Sequence, residues 1–230
     1  KKSGRGQYIN PERFVQAAKP VDVVEYVPTH MFADFPFDAR LHASIIAKGY
    51  VTPTPIQDQT IALALRGKDV VGIANTGTGK TAAFALPVLH RLMTEKDARA
   101  LVVAPTRELA EQIETECRSI GKGGGFTGAL LIGGANYNPQ LRDLRADPRL
   151  VIGTPGRIKD HIERGTLQLD KFNIVVLDEV DRMLDMGFVN DVRQLLQALS
   201  PERQSFYFSA TMEARVRGLI TSFSPEAETI

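Results

Sequence analysis

The 230-residue chain carries a single cysteine, Cys117, so no disulfide can close within it and a thiolate cage for zinc is excluded. A lone thiol in a helix-like stretch reads as a passive packing residue. Poverty in cysteine fits a reducing compartment, the cytoplasm or, in a eukaryote, the nucleus. Long hydrophobic runs are missing as well. None approaches the roughly 20 residues of a membrane span, and no signal-peptide pattern opens the chain. A charge excess of either sign is also lacking. The 28 lysines and arginines against 27 aspartates and glutamates leave a formal net charge of +1, so any basic surface must be assembled by folding. No internal repeat is visible.

Hydrophobic residues make up 43% of the chain, enough for a buried core, and the length suits one α/β domain with a short appendage. Residues 1–31 open with the polar stretch KKSGRGQ and lack a sustained period; they read as an N-terminal extension that is partly flexible. From Phe32 onward short apolar runs recur at Val70–Ala74, Ala100–Ala104, Ala129–Ile132, Leu150–Gly153, Ile174–Leu177 and Ser205–Phe208. Their β-branched and aromatic content predicts strands buried on both faces, as in a parallel sheet. Helix patterns lie between them, near Thr81–Met93, Arg107–Ile120, Pro139–Arg145, Arg157–Arg164, Asn190–Leu199 and Glu213–Ser222. The alternation predicts an α/β fold, an open, mostly parallel sheet with helices on both faces.

The strongest chemical signal follows the first strand, where Ala74-Asn-Thr-Gly-Thr-Gly-Lys80-Thr81 has the spacing of a Walker A loop, with Ala in place of the first glycine. Thr76, Gly77, Thr78 and Gly79 form a loop whose backbone N–H groups can turn inward around phosphates at the positive end of the next helix. Lys80 supplies a point charge to the outer phosphates of a nucleotide, and the Thr81 hydroxyl can reach Mg²⁺. The matching acid stands at the end of a later strand, in Ile174-Val-Val-Leu-Asp178-Glu179. Asp178 is expected to hold Mg²⁺ through water, and Glu179 to orient and deprotonate an attacking water.

Several further segments resemble the DEAD-box RNA helicase family. Gly49-Tyr-Val-Thr-Pro-Thr-Pro-Ile-Gln57 resembles its Q motif, and Phe32 stands seventeen residues before Gly49, where that family places an isolated aromatic. A glutamine amide both donates and accepts, as the N6 and N7 edge of adenine requires. An aromatic ring in that place can stack on the base. Pro105-Thr106-Arg107-Glu108-Leu109-Ala110, the Gly133-Gly134 pair with Gln140, and Thr154-Pro155-Gly156-Arg157 are similar to the family's RNA-contacting motifs. Each follows a predicted strand and offers glycines, hydroxyls and a helix N-terminus to phosphate oxygens, which positions a strand without reading its bases. For Arg107, an ion pair with a nearby carboxylate competes evenly with RNA contact. Asp178-Glu179-Val180-Asp181 occupies the signature box, and Ser209-Ala210-Thr211 the motif that links hydrolysis to strand separation.

The resemblance runs from about Phe32 to Thr211 and implies a RecA-like P-loop domain over residues 32–230 that uses ATP and Mg²⁺ and binds RNA backbone without sequence preference. It implies that Asp181 ties the box to Ser209 and Thr211. The chain is expected to be a monomer, one piece of a longer protein, whose partner is a second, C-terminal RecA-like domain carrying arginine fingers; alone it is expected to hydrolyse ATP barely. The box departs from the family at Val180, where Ala is usual. Valine is stiffer and larger but carries no donor, acceptor or charge, so a slightly repacked neighbourhood with unchanged chemistry is expected. Two other readings stand beside an ATP-dependent RNA helicase domain: a free-standing nucleotide-dependent binding module, and a DNA-directed P-loop motor.

Overall fold

The computed structural model describes residues 26–75 and 77–230. Seven strands, β1 (Val70–Ile73), β2 (Ala100–Val103), β3 (Gly128–Leu131), β4 (Leu150–Gly153), β5 (Ile174–Leu177), β6 (Gln204–Ser209) and β7 (Glu228–Thr229), form one sheet in the order β3-β4-β2-β5-β6-β1-β7. Every pairing is parallel. The helices are α1 (Ala39–Ala47), α2 (Pro55–Ala64), α3 (Lys80–Thr94), α4 (Arg107–Ile120), α5 (Tyr137–Arg145), α6 (Pro155–Glu163), α7 (Val180–Asp185), α8 (Val189–Ala198) and α9 (Ala214–Phe223), preceded by a 3-10 turn at Phe32–Asp34.

The strands are apolar throughout because both faces are covered, and successive residues divide between two cores. Ala100, Val102, Ile174, Val176, Phe206 and Phe208 pack with Leu41 of α1, Ile61 of α2, Phe84 and Leu89 of α3 and Ile113 of α4. Their neighbours Leu101, Val103, Val175, Leu177 and Tyr207 face the other way, onto Ile158 of α6, Met183 of α7, Leu195 of α8 and Leu219 of α9. Helix starts follow local chemistry: Asp38 caps α1 by accepting the Arg40 N–H at 2.9 Å, Thr106 caps α4, and Pro55 and Pro155 open α2 and α6.

Six strands and six helices lie within a residue or two of their sequence-predicted positions, while α1, α2, α7 and β7 go beyond the pattern. Helix α2 buries Gln57, Asp58 and Thr60 along with Ile56 and Ile61, so it has no clean apolar stripe to read. Strand β7 is two exposed residues held only by the edge of β1. Of the expected extension, residues 1–25 lie outside the described residues. Residues 26–31 are anchored on α2: the Asp58 carboxylate accepts from the Tyr26 hydroxyl at 2.8 Å and the Thr29 N–H at 2.6 Å, and His30 Nδ1 lies 2.6 Å from it. Among the described residues no helix is long and apolar enough to cross a membrane.

An all-parallel sheet brings every strand-to-helix loop to one edge, where ligands bind in open α/β folds. Each segment singled out in the sequence after a strand therefore reaches the same edge.

Candidate functional site

The carboxyl edge is divided. The ends of β5, β6 and β1, neighbours in the sheet, carry one group of candidate residues; the ends of β3, β4 and β2 carry the other.

In the first group the loop after β1 turns through Gly77 at φ 86° and Gly79 at φ 88°, a left-handed backbone that glycine alone enters freely. Gly79 has a second constraint. A Cβ there would stand 2.4 Å from Gln57 Nε2, so α2 closes on the loop only because a hydrogen is present. Two hydrogen bonds hold that approach: Gln57 Nε2 donates to the Gly79 carbonyl oxygen at 3.1 Å, and the Thr54 hydroxyl donates to that of Thr78 at 2.9 Å. The other end of the Gln57 amide, Oε1, accepts from the Thr54 N–H at 2.9 Å. Thr78 also donates its hydroxyl to the Asn75 carbonyl at 2.8 Å. Thr76 lies outside the described residues. Lys80 opens α3 and is buried, with Thr81 half-buried behind it.

Asp178, at the end of β5, is 2% exposed. Burial pushes its carboxyl up to about 6 against the opposing pull of Lys80, and its Oδ1 accepts the Glu179 N–H at 2.9 Å. The Asp178 carboxylate and the Thr81 hydroxyl are oxygen donors of the kind Mg²⁺ takes, and the Lys80 ammonium beside Asp178 suits the phosphates such an ion would accompany. Among the described residues no three acidic or histidine side chains gather to cage a metal. The remaining ligands would have to be water and phosphate oxygens, as is usual for this ion. Glu179 sits at φ 53°, ψ 54°, a left-handed position that costs a non-glycine residue about 1–2 kcal/mol. Its carboxylate accepts from the Arg182 guanidinium at 3.0 Å, one turn on.

Strand β6 lies between β5 and β1, so Ser209-Ala210-Thr211 leaves the sheet beside both loops. Asp181 Oδ2 accepts from the Ala210 N–H at 3.1 Å, the Thr211 N–H at 3.0 Å and the Thr211 hydroxyl at 3.2 Å, while the Asp181 N–H donates to Ser209 Oγ at 3.3 Å. Partial burial raises the Asp181 carboxyl, but these bonds and the Arg182 N–H together hold it below the ordinary carboxylate range. Val180 opens α7 fully buried in the second core, facing away from that cluster.

A cavity of about 640 Å³ adjoins the phosphate loop, lined by Tyr50, Thr54, Gln57, Gly79, Thr81 and Glu116 among others. Phe32 is in its wall but is not the open stacking platform expected from the sequence. Its ring is 2% exposed and stacked on Tyr50, with centroids 5.5 Å apart. Core packing has claimed the ring and leaves only a sliver of it to the cavity.

The second group gathers by backbone register. The Thr154 N–H donates to the Leu131 carbonyl at 2.9 Å, and the Ala104 N–H to that of Gly153 at 3.0 Å, which draws the three loops together. Arg107 is exposed and lies against Gly134, where a Cβ would come within 2.7 Å of Nη1. Among the described residues it makes no ion pair, so the competing structural pairing is not realised. Arg157 donates to the Ala135 carbonyl at 3.3 Å and lies over the Tyr137 ring at 5.4 Å. Gly133 and Gly156 stand open, with nothing within 4 Å of where a Cβ would be. Pro105, Pro155 and Thr154 are buried, so little of their side chains is open to a strand. Pro155 and Thr154 shape the start of α6 instead, and Thr106 accepts the Leu109 N–H at 3.3 Å in doing the same for α4.

Sequence reasoning missed Glu116, Tyr50 and Asp58. Glu116 and Tyr50 line the cavity, and Asp58 fixes residues 26–30 beside it; each lies inside or next to a recognisable segment, but nothing in the spacing marks it.

The sequence profile of the DEAD/DEAH box helicases matches residues 54–219. The chain is 44% identical over 198 residues to the ATP-dependent RNA helicase CshA of Listeria monocytogenes, covering 85% of this chain and 38% of that protein. It is 43% identical over 201 residues to the DEAD-box ATP-dependent RNA helicase CshA of Bacillus subtilis, covering 87% and 41%. Among solved structures it is similar to a DEAD box protein from Methanococcus jannaschii, with TM-score 0.82 and 36% identity over 87% of this chain and 56% of that one. A hypothetical ATP-dependent RNA helicase from Sulfolobus tokodaii superposes with TM-score 0.77 at 37% identity, over 83% and 56%. The chain spans about two fifths of the length of these curated relatives.

Proposed function

This chain belongs to the DEAD/DEAH box helicase family, and from that premise we propose that it is the ATP-binding, RecA-like half of an ATP-dependent RNA helicase. The observation that carries the reading is the divided carboxyl edge, with a phosphate loop, acid pair and coupling loop on one half and exposed arginine and glycine loops on the adjoining half.

Lys80 and the N–H groups of the loop through Gly79 receive the phosphates of ATP. Gln57 and the cavity beside it take the base, because phosphate contacts alone do not separate ATP from GTP. Mg²⁺, held through Thr81 and Asp178 with water, would neutralise charge on the phosphate oxygens. Glu179 orients the attacking water and takes its proton once its carboxylate leaves Arg182. Asp181 passes the state of this half to Ser209 and Thr211. Arg107, lying against Gly134, together with Arg157 and the open glycines at 133 and 156, holds a single RNA strand by its backbone. A second RecA-like domain closes over both halves and completes the reaction with arginine side chains, a contribution worth about 10³–10⁵ in rate where such fingers are used. The protein acts as a monomer in the cytoplasm.

The test is ATP hydrolysis by a protein comprising both domains, with single-stranded RNA, single-stranded DNA or no nucleic acid. Stimulation by RNA at least tenfold over DNA is expected, with turnover abolished by Lys80→Ala. Equal stimulation by DNA would identify a DNA-directed motor, and no hydrolysis under any condition would identify a binding module.

A further inference from the structure

The cavity beside the phosphate loop is bounded on its far side by α4, a helix whose first turn belongs to the nucleic-acid half of the edge. Glu116, nine residues after Arg107 and so roughly 14 Å along the helix axis, points into this wall. Its carboxylate accepts from Lys48 Nζ at 3.0 and 2.9 Å and from the Tyr50 hydroxyl at 3.0 Å. Tyr50 in turn stacks on Phe32, and the Phe32 N–H donates to the Val51 carbonyl at 3.1 Å. The segment leading from α1 to α2, which ends at Thr54 just ahead of Gln57 in the first turn of α2, is therefore tied to α4 through one carboxylate.

This tie differs from an ordinary surface ion pair. Glu116 and Lys48 are about three-quarters buried, at 27% and 24% exposure, and the bond to Tyr50 also fixes the direction of a ring. Exposed pairs typically contribute little to stability and leave geometry loose. Here the contact joins α4 to the Tyr50–Phe32 pair, which lines the cavity together with Gln57. Burial and the facing carboxylate also push the Tyr50 hydroxyl up to about 12, so it stays a donor at any physiological pH.

We infer that Glu116 is a specificity-determining positioning residue: through Tyr50 it sets the width of the base cavity, and so the preference for adenine over guanine. The inference rests on reading that cavity as the base site. It also places control of base selectivity on the helix that presents Arg107 to the nucleic acid.

The test is displacement of a fluorescent ADP analogue from the 230-residue chain by unlabelled ADP and GDP. Glu116→Ala is expected to reduce the ratio of ADP to GDP affinity fivefold or more, chiefly by weakening ADP. Tyr50→Phe keeps the ring and removes the hydroxyl that Glu116 holds, and is expected to move the ratio in the same direction. Glu116→Gln retains an acceptor for that hydroxyl and should remain within twofold of the unsubstituted chain. A purely structural role would weaken ADP and GDP alike, leaving the ratio fixed, and that result overturns the inference. If the unsubstituted chain discriminates and Gln57→Ala abolishes discrimination while Glu116→Ala and Tyr50→Phe leave it intact, the inference alone fails. If the unsubstituted chain does not discriminate at all, the base-site reading fails and the inference with it.

Discussion

Gln57 donates its side-chain amide to the Gly79 carbonyl oxygen at 3.1 Å, across a gap that no residue larger than glycine at position 79 would leave open. The residue proposed to recognise the base is thus bonded to the loop proposed to hold the phosphates. Its Oε1 is bonded to the start of its own helix, so both ends of the amide are oriented before any ligand arrives. Such preorganisation lowers the ordering cost of binding.

Gln57→Ala is accordingly expected to act chiefly on base selectivity, with the Thr54 bond to Thr78 still holding the loop. ATP affinity should fall at least fivefold and GTP affinity less than twofold, measured by competition binding. Undiminished selectivity would show that the base is read elsewhere.

Val180 is fully buried in the second core, next to residues that carry the chemistry but not among them. Val180→Ala removes two methyl groups from a packed site and should cost about 2 kcal/mol in urea unfolding. Hydrolysis by a two-domain protein should change less than tenfold. A gain of tenfold or more on placing Ala there would mean that valine at this position tunes turnover.

Asp181 gathers two backbone N–H groups and a hydroxyl from the loop after β6. Ala210 and Thr211 are exposed, so water can replace the lost acceptor and Asp181→Ala should cost only about 1 kcal/mol of stability. Its effect should instead be on coupling: RNA-stimulated hydrolysis persists while strand separation falls tenfold or more in a two-domain protein. Parallel loss of both activities would contradict a coupling role.

Asp58 is 1% exposed, and the bonds from His30, Thr29 and Tyr26 outweigh burial and hold its carboxyl below the ordinary value of 3.8. A carboxyl lowered on folding contributes stability that is fully present above its unfolded value and is lost as pH falls through its folded one. Asp58→Asn should therefore cost about 1–3 kcal/mol at pH 7, with the gap to the unsubstituted chain closing below the ordinary value of 3.8. Urea titrations from pH 7 down to acid would reveal it; a gap independent of pH would mean the carboxylate charge is irrelevant to the anchor.

Some of this was already determined by the order of residues. Short apolar runs rich in β-branched residues, such as VVGI, ALVV and IVVL, leave no polar face and so read as strands covered on both sides. Gly77 and Gly79 must turn left-handed for Lys80 to open a helix behind them, and an acid at the end of an apolar strand must surface at the ligand edge. Spacing along the chain carries such local requirements directly. Other features depend on elements far apart in sequence. Helix α2 could not be read because its polar residues are buried, and Gln57 meets Gly79 only after α2 folds over the loop. Phe32 and Pro155 carried the right letters for contact, yet packing withdrew their surfaces. Glu116 gave no sign in its own segment, because its meaning lies in Lys48 and Tyr50, brought to it by the packing of α1 against α4. Local chemistry located the loops, and long-range packing decided which of their side chains face a ligand.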